Sequence, residues 1–277
     1  MNSLRATVER LAQEGSAADP KLAREAAIEL LNALEKGQLR AAEPDGDRWR
    51  VNAWVKQGIL LAFRFGAVVD LPPAGPLTFR DKDLLAPLSI DAMPGVRIVG
   101  GGSSVRRGAF VADGAILMPP CFVNVGAFVG AGSMIDSHAL VGSCAQVGVG
   151  VHLSAGAQVG GVLEPPGALP VVIEDGVFVG ALSAVLEGVH VQRQAVLGAG
   201  VVLTRTTPVY DLGIRQVHRP GPDGTLQIPE RAVVIAGSRP LTDEWARQQG
   251  LGGYAALIVK RRDAGTDARA ALEELLR

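Results

Sequence analysis

The stretch SMIDSHALVGSCAQVG, residues 133–148, has an aliphatic residue at every sixth position and small residues between them. The same spacing continues outward in both directions, with one interruption. A helix would repeat every 3.6 residues and a simple strand every two residues, so neither explains the pattern. A period of six is typical of a parallel β-helix, in which each hexad is a short strand and a tight bend. The aliphatic positions are Val99, Val105, Val111, Leu117, Val123, Val129, Ile135, Val141, Val147, Leu153, Val159, Ile173, Val179, Val185, Val191, Leu197 and Leu203.

The composition limits the classes of function. The 277 residues carry a formal net charge of −1, which argues against bulk binding to nucleic acid. No apolar run approaches the roughly 20 residues of a membrane span, and the first residues lack an apolar signal core. The two cysteines do not make a disulfide framework. We therefore expect a soluble cytoplasmic protein with neither a nucleic-acid nor a membrane partner.

The N-terminal part of the chain reads as helical. Asp19 fits an N-cap, Pro20 fits the first helical position and Gly37 follows the expected end of the helix. Residues 51–65 predict a second helix. The sequence therefore predicts an N-terminal helical domain over residues 1–85.

The remaining chain divides into a repeat and a C-terminal part. LPPAGP, residues 71–76, predicts the start of a linker, and the β-helix is expected over residues 97–208. Prolines interrupt the repeat at residues 165–172, which predicts an inserted loop there. Residues 209–277 predict a C-terminal segment of strands, a turn near Asp223 and a final helix, DARAALEELLR.

Three segments carry a family resemblance. VGSCAQVG (141–148), VHLS (151–154) and GGVLEP (160–165) resemble the tetrahydrodipicolinate N-succinyltransferases, a family of hexapeptide-repeat acyltransferases. The resemblance implies a left-handed parallel β-helix with 18 residues per coil. General topology rules favour the opposite hand, so the left hand comes from the resemblance alone. It also implies a homotrimer with active sites between neighbouring β-helices.

The resemblance further implies a reaction. The family transfers succinyl from succinyl-CoA to the amine of tetrahydrodipicolinate in its opened form, 2-amino-6-oxopimelate, by direct attack. This step belongs to lysine biosynthesis through diaminopimelate. We expect no tightly bound cofactor, only a coenzyme A thioester as cosubstrate.

The same resemblance points to site residues. Asp136, in MID, matches the aspartate proposed to help deprotonate the amine, and Arg97, in GVRIV, matches the arginine that holds the acceptor. His138 is a second candidate catalytic residue, because histidine suits a general base. We expect Asp136 to lie near residues 180–187 of a neighbouring subunit. The alternatives are a solvated turn aspartate, a surface arginine and a histidine at a subunit contact.

The sequence also departs from the family. GALSAVLEG stands where the family typically reads GARSEV-EG, so Leu182 and Ala184 replace an arginine and a glutamate, and His138 replaces a tryptophan. Three interpretations stay open: a succinyltransferase using Asp136 or His138, a paralogue with acetyl-CoA or another amino-acid acceptor, and a catalytically silent trimeric scaffold.

The remaining candidates are residues that could bind coenzyme A or a metal ion. Three basic residues near the C-terminal side are expected to meet the phosphates of coenzyme A, or else to form a solvated charged end: Arg205, Lys260 and Arg261. A zinc site of the kind found in γ-class carbonic anhydrases needs histidines stacked at multiples of 18 residues. His138, His152 and His190 do not fit that spacing, so we expect no metal site and a structural role for His152.

Overall fold

The structure is a computed structural model that describes residues 2–46, 48–74, 77–263 and 265–266. Its helices are α1 (Asn2–Glu14), α2 (Pro20–Glu35), α3 (Ala53–Phe65) and α4 (Glu244–Gln248). The predicted final helix, residues 267–277, lies outside the described residues. Within the described part of the chain, no helix has the length and apolarity needed to cross a bilayer.

The N-terminal helices follow their predicted signals only in part. Asp19 caps α2 by accepting hydrogen bonds from the backbone N–H groups of Lys21 and Leu22, as predicted. The second predicted helix begins at Ala53 rather than at residue 51. The reason is that Arg48–Val51 is a strand, paired antiparallel with Ala42–Asp45. Helix α1 was not predicted, although its apolar side packs into the same core as α2 and α3.

The predicted linker at residues 71–76 is wrong. Val68–Ala74 is a strand that pairs antiparallel with Leu77–Lys82. The ladder is irregular between Leu71 and Ala74, where the prolines lie. A two-stranded ladder has two free edges, and an edge tolerates a proline that cannot donate a hydrogen bond.

The hexads form three parallel sheets, which the chain visits in turn. We call them faces 1, 2 and 3. Face 1 contains Arg97–Ile98, Ile116–Leu117, Met134–Ile135, His152–Leu153, Phe178–Val179 and Val196–Leu197. Face 2 contains Ser104–Val105, Phe122–Val123, Leu140–Val141, Gln158–Val159, Ala184–Val185 and Val202–Leu203. Face 3 contains Phe110–Val111, Phe128–Val129, Gln146–Val147, Val172–Ile173, Val189–Val191 and Leu226–Ile228.

The bends between faces stack into three corners. The first corner joins face 1 to face 2, the second joins face 2 to face 3, and the third joins face 3 to face 1. The first corner contains residues 136–138, 154–156, 180–182 and 198–200. The second contains residues 106–108, 124–126, 142–144 and 186–188. The third contains residues 112–114, 130–132, 148–150, 174–176 and 192–194.

The repeat has one slip and one insertion. In the first coil Ile98, not the predicted Val99, pairs with Leu117 and packs on the core, because this coil is one residue longer. Gln146 pairs with Val172, which shows an insertion of eight residues. The loop lies between Gln158–Val159 and Val172–Ile173, so its predicted end is wrong: Val172 belongs to a strand and is buried.

The C-terminal strands close the coil. Ala232–Pro240 and Gly252–Arg261 are strands, as the sequence predicts. They pair antiparallel, and the first of them continues face 1. Val209–Asp211 and Gln216–His218 form a hairpin. The turn predicted near Asp223 is also present, after this hairpin: the N–H of Gly224 donates to the carbonyl of Gly221, and Asp223 accepts from the N–H of Thr225.

A buried lysine attaches the inserted loop to the helices. Lys56, on α3, has no exposed surface, and its Nζ donates a 2.6 Å hydrogen bond to the carbonyl of Ala168 in the loop. Burial lowers the pKa of Lys56, while Cys144 and Glu187 act in the opposite direction. The loop therefore lies against α3 instead of projecting into solvent.

Replacing Lys56 with methionine should loosen this loop. Methionine fills a similar volume and removes the buried charge, so overall stability should change little while the tie to Ala168 is lost. Hydrogen exchange of the loop amides should become faster than in the wild type. Lys21→Met, at an exposed position of α2, is the matched control, and unchanged exchange in Lys56→Met would show that the loop does not depend on this contact.

Candidate active site

Asp136 lies on the first corner, directly after the strand Met134–Ile135. Its backbone N–H donates to the carbonyl of Leu153, which fixes the residue in the ladder. Its side chain is 29% exposed and accepts a 2.7 Å hydrogen bond from the N–H of Ser137. The second carboxylate oxygen is directed towards the next coil. Asp136 thus presents a half-buried carboxylate beside an open corner.

The basic residue nearest to this carboxylate is His152, not His138. His152 pairs with Met134 in the adjacent strand of face 1, and its Nε2 lies 3.9 Å from Oδ2 of Asp136. Its ring also makes an edge-on contact with Phe178, with centroids 5.1 Å apart. The coil length of 18 residues was the signal that could have found this pair, because it places residue 152 beside residue 134. Asp136 and His152 form an acid–base pair across two coils.

His138 and Leu182 lie on the same corner as Asp136. Both have left-handed backbone conformations, with φ of 62° and 58°. Leu182 is 76% exposed, and His138 is exposed and makes no side-chain hydrogen bond with any described residue. Gly156 separates them, and a Cβ there would lie 2.8 Å from Cδ2 of Leu182. On this corner the exposed side chains of His138 and Leu182 therefore lie on either side of Gly156.

Arg97 lies on face 1, in the strand two places before that of Asp136. Its side chain is exposed and forms no ion pair with a described residue. Two strands are separated by about 10 Å along the coil axis. Arg97 thus lies on face 1 about two strand spacings before the corner that contains Asp136.

The residues predicted to hold coenzyme A do not form one cluster. Arg205 is exposed and packs over Gly188 at the second corner. Lys260 pairs with Asp263, with Nζ and Oδ2 2.7 Å apart. Arg261 donates to Oδ2 of Asp211 at 2.6 Å, and Asp211 is only 1% exposed. Arg261 therefore holds a buried carboxylate, which the sequence did not indicate.

Two other histidines have acidic partners. Nε2 of His190 lies 2.8 Å from Glu174, and Nε2 of His218 lies 3.5 Å from Asp211. The described residues contain no group of three histidine, cysteine or acidic side chains arranged to hold a metal ion. These histidines belong to separate ion pairs.

Both cysteines are free and buried. Burial raises the pKa of the Cys144 thiol to about 12, despite the opposing charge of Lys56, and it also raises the pKa of Cys121. A thiol with a raised pKa is a poor nucleophile because little thiolate forms. Neither cysteine is therefore suited to covalent catalysis.

A groove that the sequence did not reveal runs along the third corner. Its cavity volume is about 780 Å³. The hairpin of residues 42–51 forms one wall, Phe128 contributes to the floor, and Arg40, Trp49 and Glu174 line it. We call it the Arg40 groove. Its residues are scattered in sequence, so no motif marks it.

Residues 3–65 match the family model described as tetrahydrodipicolinate N-succinyltransferase N-terminal, and residues 170–205 match the hexapeptide repeat of succinyl-transferase. Three relatives named 2,3,4,5-tetrahydropyridine-2,6-dicarboxylate N-succinyltransferase align over most of the chain. The Leptothrix cholodnii protein is 46% identical, over 94% of this chain and 92% of its own. The Cupriavidus necator protein is 43% identical, over 99% and 98%. The Methylorubrum extorquens protein is 41% identical, over 92% and 90%.

Replacing Asp211 with asparagine should destabilise the C-terminal part. Burial would raise the pKa of Asp211, but hydrogen bonds from Arg261, the N–H of Ile214 and His218 outweigh it and hold the pKa below the ordinary 3.8. The carboxylate therefore stabilises the fold above pH 3.8, and this contribution is lost as the pH falls through the lowered value. In urea unfolding at pH 7 the variant should lose about 1.5–3 kcal/mol.

The difference between wild type and Asp211→Asn should shrink as the pH falls below 3.8, because the carboxyl of the unfolded chain is then protonated while that of the folded protein is still ionised. Asp223→Asn, in an exposed turn, is the control. A difference that stays constant down to pH 3 would contradict the assignment of a charged, buried Asp211.

Proposed function

Because the chain belongs to the 2,3,4,5-tetrahydropyridine-2,6-dicarboxylate N-succinyltransferase family, we propose that it is an acyl-CoA-dependent N-acyltransferase. It transfers succinyl from succinyl-CoA to the amine of that dicarboxylate in its opened form, 2-amino-6-oxopimelate. The observation that carries the proposal is 43% identity to a named relative over 99% of the chain. Such a substrate pair fits the cytoplasmic location expected from the sequence.

The reaction is a direct acyl transfer. The amine nitrogen attacks the thioester carbonyl, a C–N bond forms and the C–S bond breaks, and the thiolate of coenzyme A leaves and takes up a proton. The attacking nitrogen must lose a proton on the way. Asp136 is the acceptor of this proton, because its carboxylate is half-buried beside an open corner.

His152 is a second member of the proton path. Its buried Nε2 lies 3.9 Å from Oδ2 of Asp136, which is an electrostatic contact longer than a hydrogen bond. His138 lies on the same corner, exposed, and is the alternative base. Arg97, on the same face, binds a carboxylate of the acceptor, for which its planar guanidinium is suited.

The active site is completed by a second copy of the chain. The coil is a left-handed β-helix, and three copies form a trimer in which the first corner of one subunit lies against the next. Support comes from the exposure of His138 and Leu182 on that corner. An apolar side chain exposed at a strained backbone position is explained when a partner or ligand covers it. Coenzyme A lies along the same boundary, and the exposed Lys260 is a candidate for contact with its phosphates, whereas Arg205 lies at the second corner.

A second candidate is a paralogue that uses acetyl-CoA or another amino-acid acceptor. The observation that favours it is Leu182, which presents an isobutyl group to the corner at 76% exposure. An aliphatic side chain cannot pair with a terminal carboxylate, so it suits a donor without one. A silent trimeric scaffold is the third outcome of the test below.

A thiol-release assay tests the proposed function. Succinyl-CoA and acetyl-CoA are each combined with tetrahydrodipicolinate and with L-2-aminopimelate. We expect acceptor-dependent release of coenzyme A, faster with succinyl-CoA. Faster release with acetyl-CoA would select the paralogue. If no pair releases coenzyme A, other amino-acid acceptors are screened. No release with those acceptors either would indicate a catalytically silent scaffold.

In the same assay, Asp136→Asn should lower kcat by about 10²- to 10⁴-fold, since loss of a general base removes that much. Asp113→Asn, an aspartate on the third corner, is the matched control and should keep wild-type turnover. His138→Gln and His152→Gln separate the two histidines. Unchanged turnover in Asp136→Asn would move proton acceptance away from this carboxylate.

The arrangement of subunits is tested with the double variant His138→Cys/Leu182→Cys. Within one chain these positions are two coils, about 10 Å, apart, and a disulfide requires Cα atoms within about 7 Å. Oxidation should therefore link different chains, giving covalent species up to trimers on non-reducing gels. The single variants are controls. Only monomers after oxidation, with a monomeric mass by light scattering, would contradict the trimer.

A further inference from the structure

The Arg40 groove contains an arginine that the surrounding residues hold in one orientation. Cζ of Arg40 lies 3.7 Å from the centre of the Phe128 ring and 5.4 Å from that of Trp49. Its Nε donates a 2.9 Å hydrogen bond to Oε1 of Gln146. Gln146 is itself fixed, because it is fully buried and its Nε2 donates to the carbonyl of Cys144. The guanidinium is thus held over an aromatic ring.

The terminal amino groups of Arg40 are uncommitted. Neither donates a hydrogen bond to a described residue, and Arg40 lines the groove. Burial lowers the pKa of Arg40 to about 10, although Glu43 and Asp175 act to raise it. A guanidinium that is desolvated and lacks a bidentate acceptor gains most from an anionic ligand.

The acidic side chains near Arg40 are occupied. Glu174 accepts hydrogen bonds from His190, Trp49 and the N–H of Arg193. Burial would raise the pKa of Glu174, but these hydrogen bonds hold it below the ordinary range. Asp175 accepts from the N–H of Val149. The acids are thus satisfied inside the protein, whereas Arg40 is not.

Two further arginines line the groove. Arg48 is exposed and also lines an adjoining cavity of about 340 Å³ that contains His218 and Arg219. The side chain of Arg193 is 68% exposed, and its Nε lies 3.9 Å from Oε2 of Glu174, so this arginine already has an acidic partner. Glu230 lies beyond Arg193, at the end of the groove away from Phe128. The groove is thus lined by three arginines and three acidic residues, and Arg40 differs from the acids in having terminal amino groups without an acceptor among the described residues.

From this geometry we infer that the Arg40 groove is a binding site for a small organic dianion, a dicarboxylate or a phosphate monoester. Arg40 binds one anionic group in the plane of its guanidinium, and Arg48 binds the second. The groove follows the third corner, whereas Asp136 lies on the first. The volume of about 780 Å³ lies in the usual range for small-molecule sites.

Isothermal titration calorimetry with named probes tests this site on the full chain. Succinate and inorganic phosphate are the dianionic probes, and neutral succinamide is the uncharged one. We expect binding of at least one dianion with one site per chain, weakening as salt is added, and no binding of succinamide. The dianion that binds identifies carboxylate or phosphate as the source.

Variants assign the binding to the groove. Arg40→Lys keeps the charge but removes the planar fork, and Arg48→Ala removes an exposed cation, so each should raise the Kd, by about tenfold for Arg40→Lys. Arg50→Ala is the matched control, because Arg50 lies on the same strand and pairs with Glu43 outside the groove. Its Kd should equal that of the wild type. Arg97→Ala should also keep the binding, which separates it from the proposed acceptor site.

The melting temperature of each variant shows whether it is folded, and Arg48→Ala is informative even if Arg40→Lys is unstable. No binding of either dianion to the wild type would overturn the proposal. Binding that survives both Arg40→Lys and Arg48→Ala, or that disappears in Arg97→Ala, would place it elsewhere and overturn the proposal as well. The binding measurements do not depend on turnover. The dianion site can therefore be confirmed even if no acyl transfer is detected, and acyl transfer can be detected even if no dianion binds.

Discussion

The fold depends on one inward aliphatic side chain in each hexad. Leu117, Ile135 and Leu153 are fully buried and stack at adjacent levels of face 1, and the other two faces repeat the arrangement. Each buried side chain of this size stabilises the fold by roughly 1.5–3 kcal/mol relative to leaving it exposed. Because the strands contain two or three residues each, no local hairpin or helix supports them. The register of the whole coil is set by this stack, which explains why the period is visible in the sequence.

The corners impose the second constraint. Each must turn the chain sharply, and its last residue usually has a positive φ, which glycine adopts most easily. The exceptions are informative because an L-residue there costs about 1–2 kcal/mol. Cys144 packs into the core of the helices, and Gln194 accepts a hydrogen bond from Arg231. His138 and Leu182 have no such explanation among the residues that the structure describes, and both are exposed on the first corner.

The features that the sequence predicted correctly depend on residues that are close together in the chain. The six-residue repeat and the helix cap at Asp19 each involve only a few neighbouring residues, and both are present in the structure. The hairpin of residues 42–51 was missed because each of its strands has only four residues: AEPD contains a proline and two acids, and the alternation of RWRV is too short to stand out. The pair of Asp136 with His152, and that of Arg261 with Asp211, join residues far apart in sequence. The first could have been found from the coil length, but nothing in the sequence indicates the second.

The position of His152 indicates that both groups proposed to handle the proton come from one chain. The family resemblance assigns a second acidic group to a position that is Ala184 in this chain, and alanine cannot bind a proton. Asp136 and His152 are brought within 3.9 Å by adjacent coils of a single chain. Under the proposed function, the partner subunit therefore supplies surface, through residues such as Leu182, and not a second acid. Substitutions on that surface can then change which acyl group or acceptor fits while leaving the proton-transfer pair intact, since the two functions lie on different subunits.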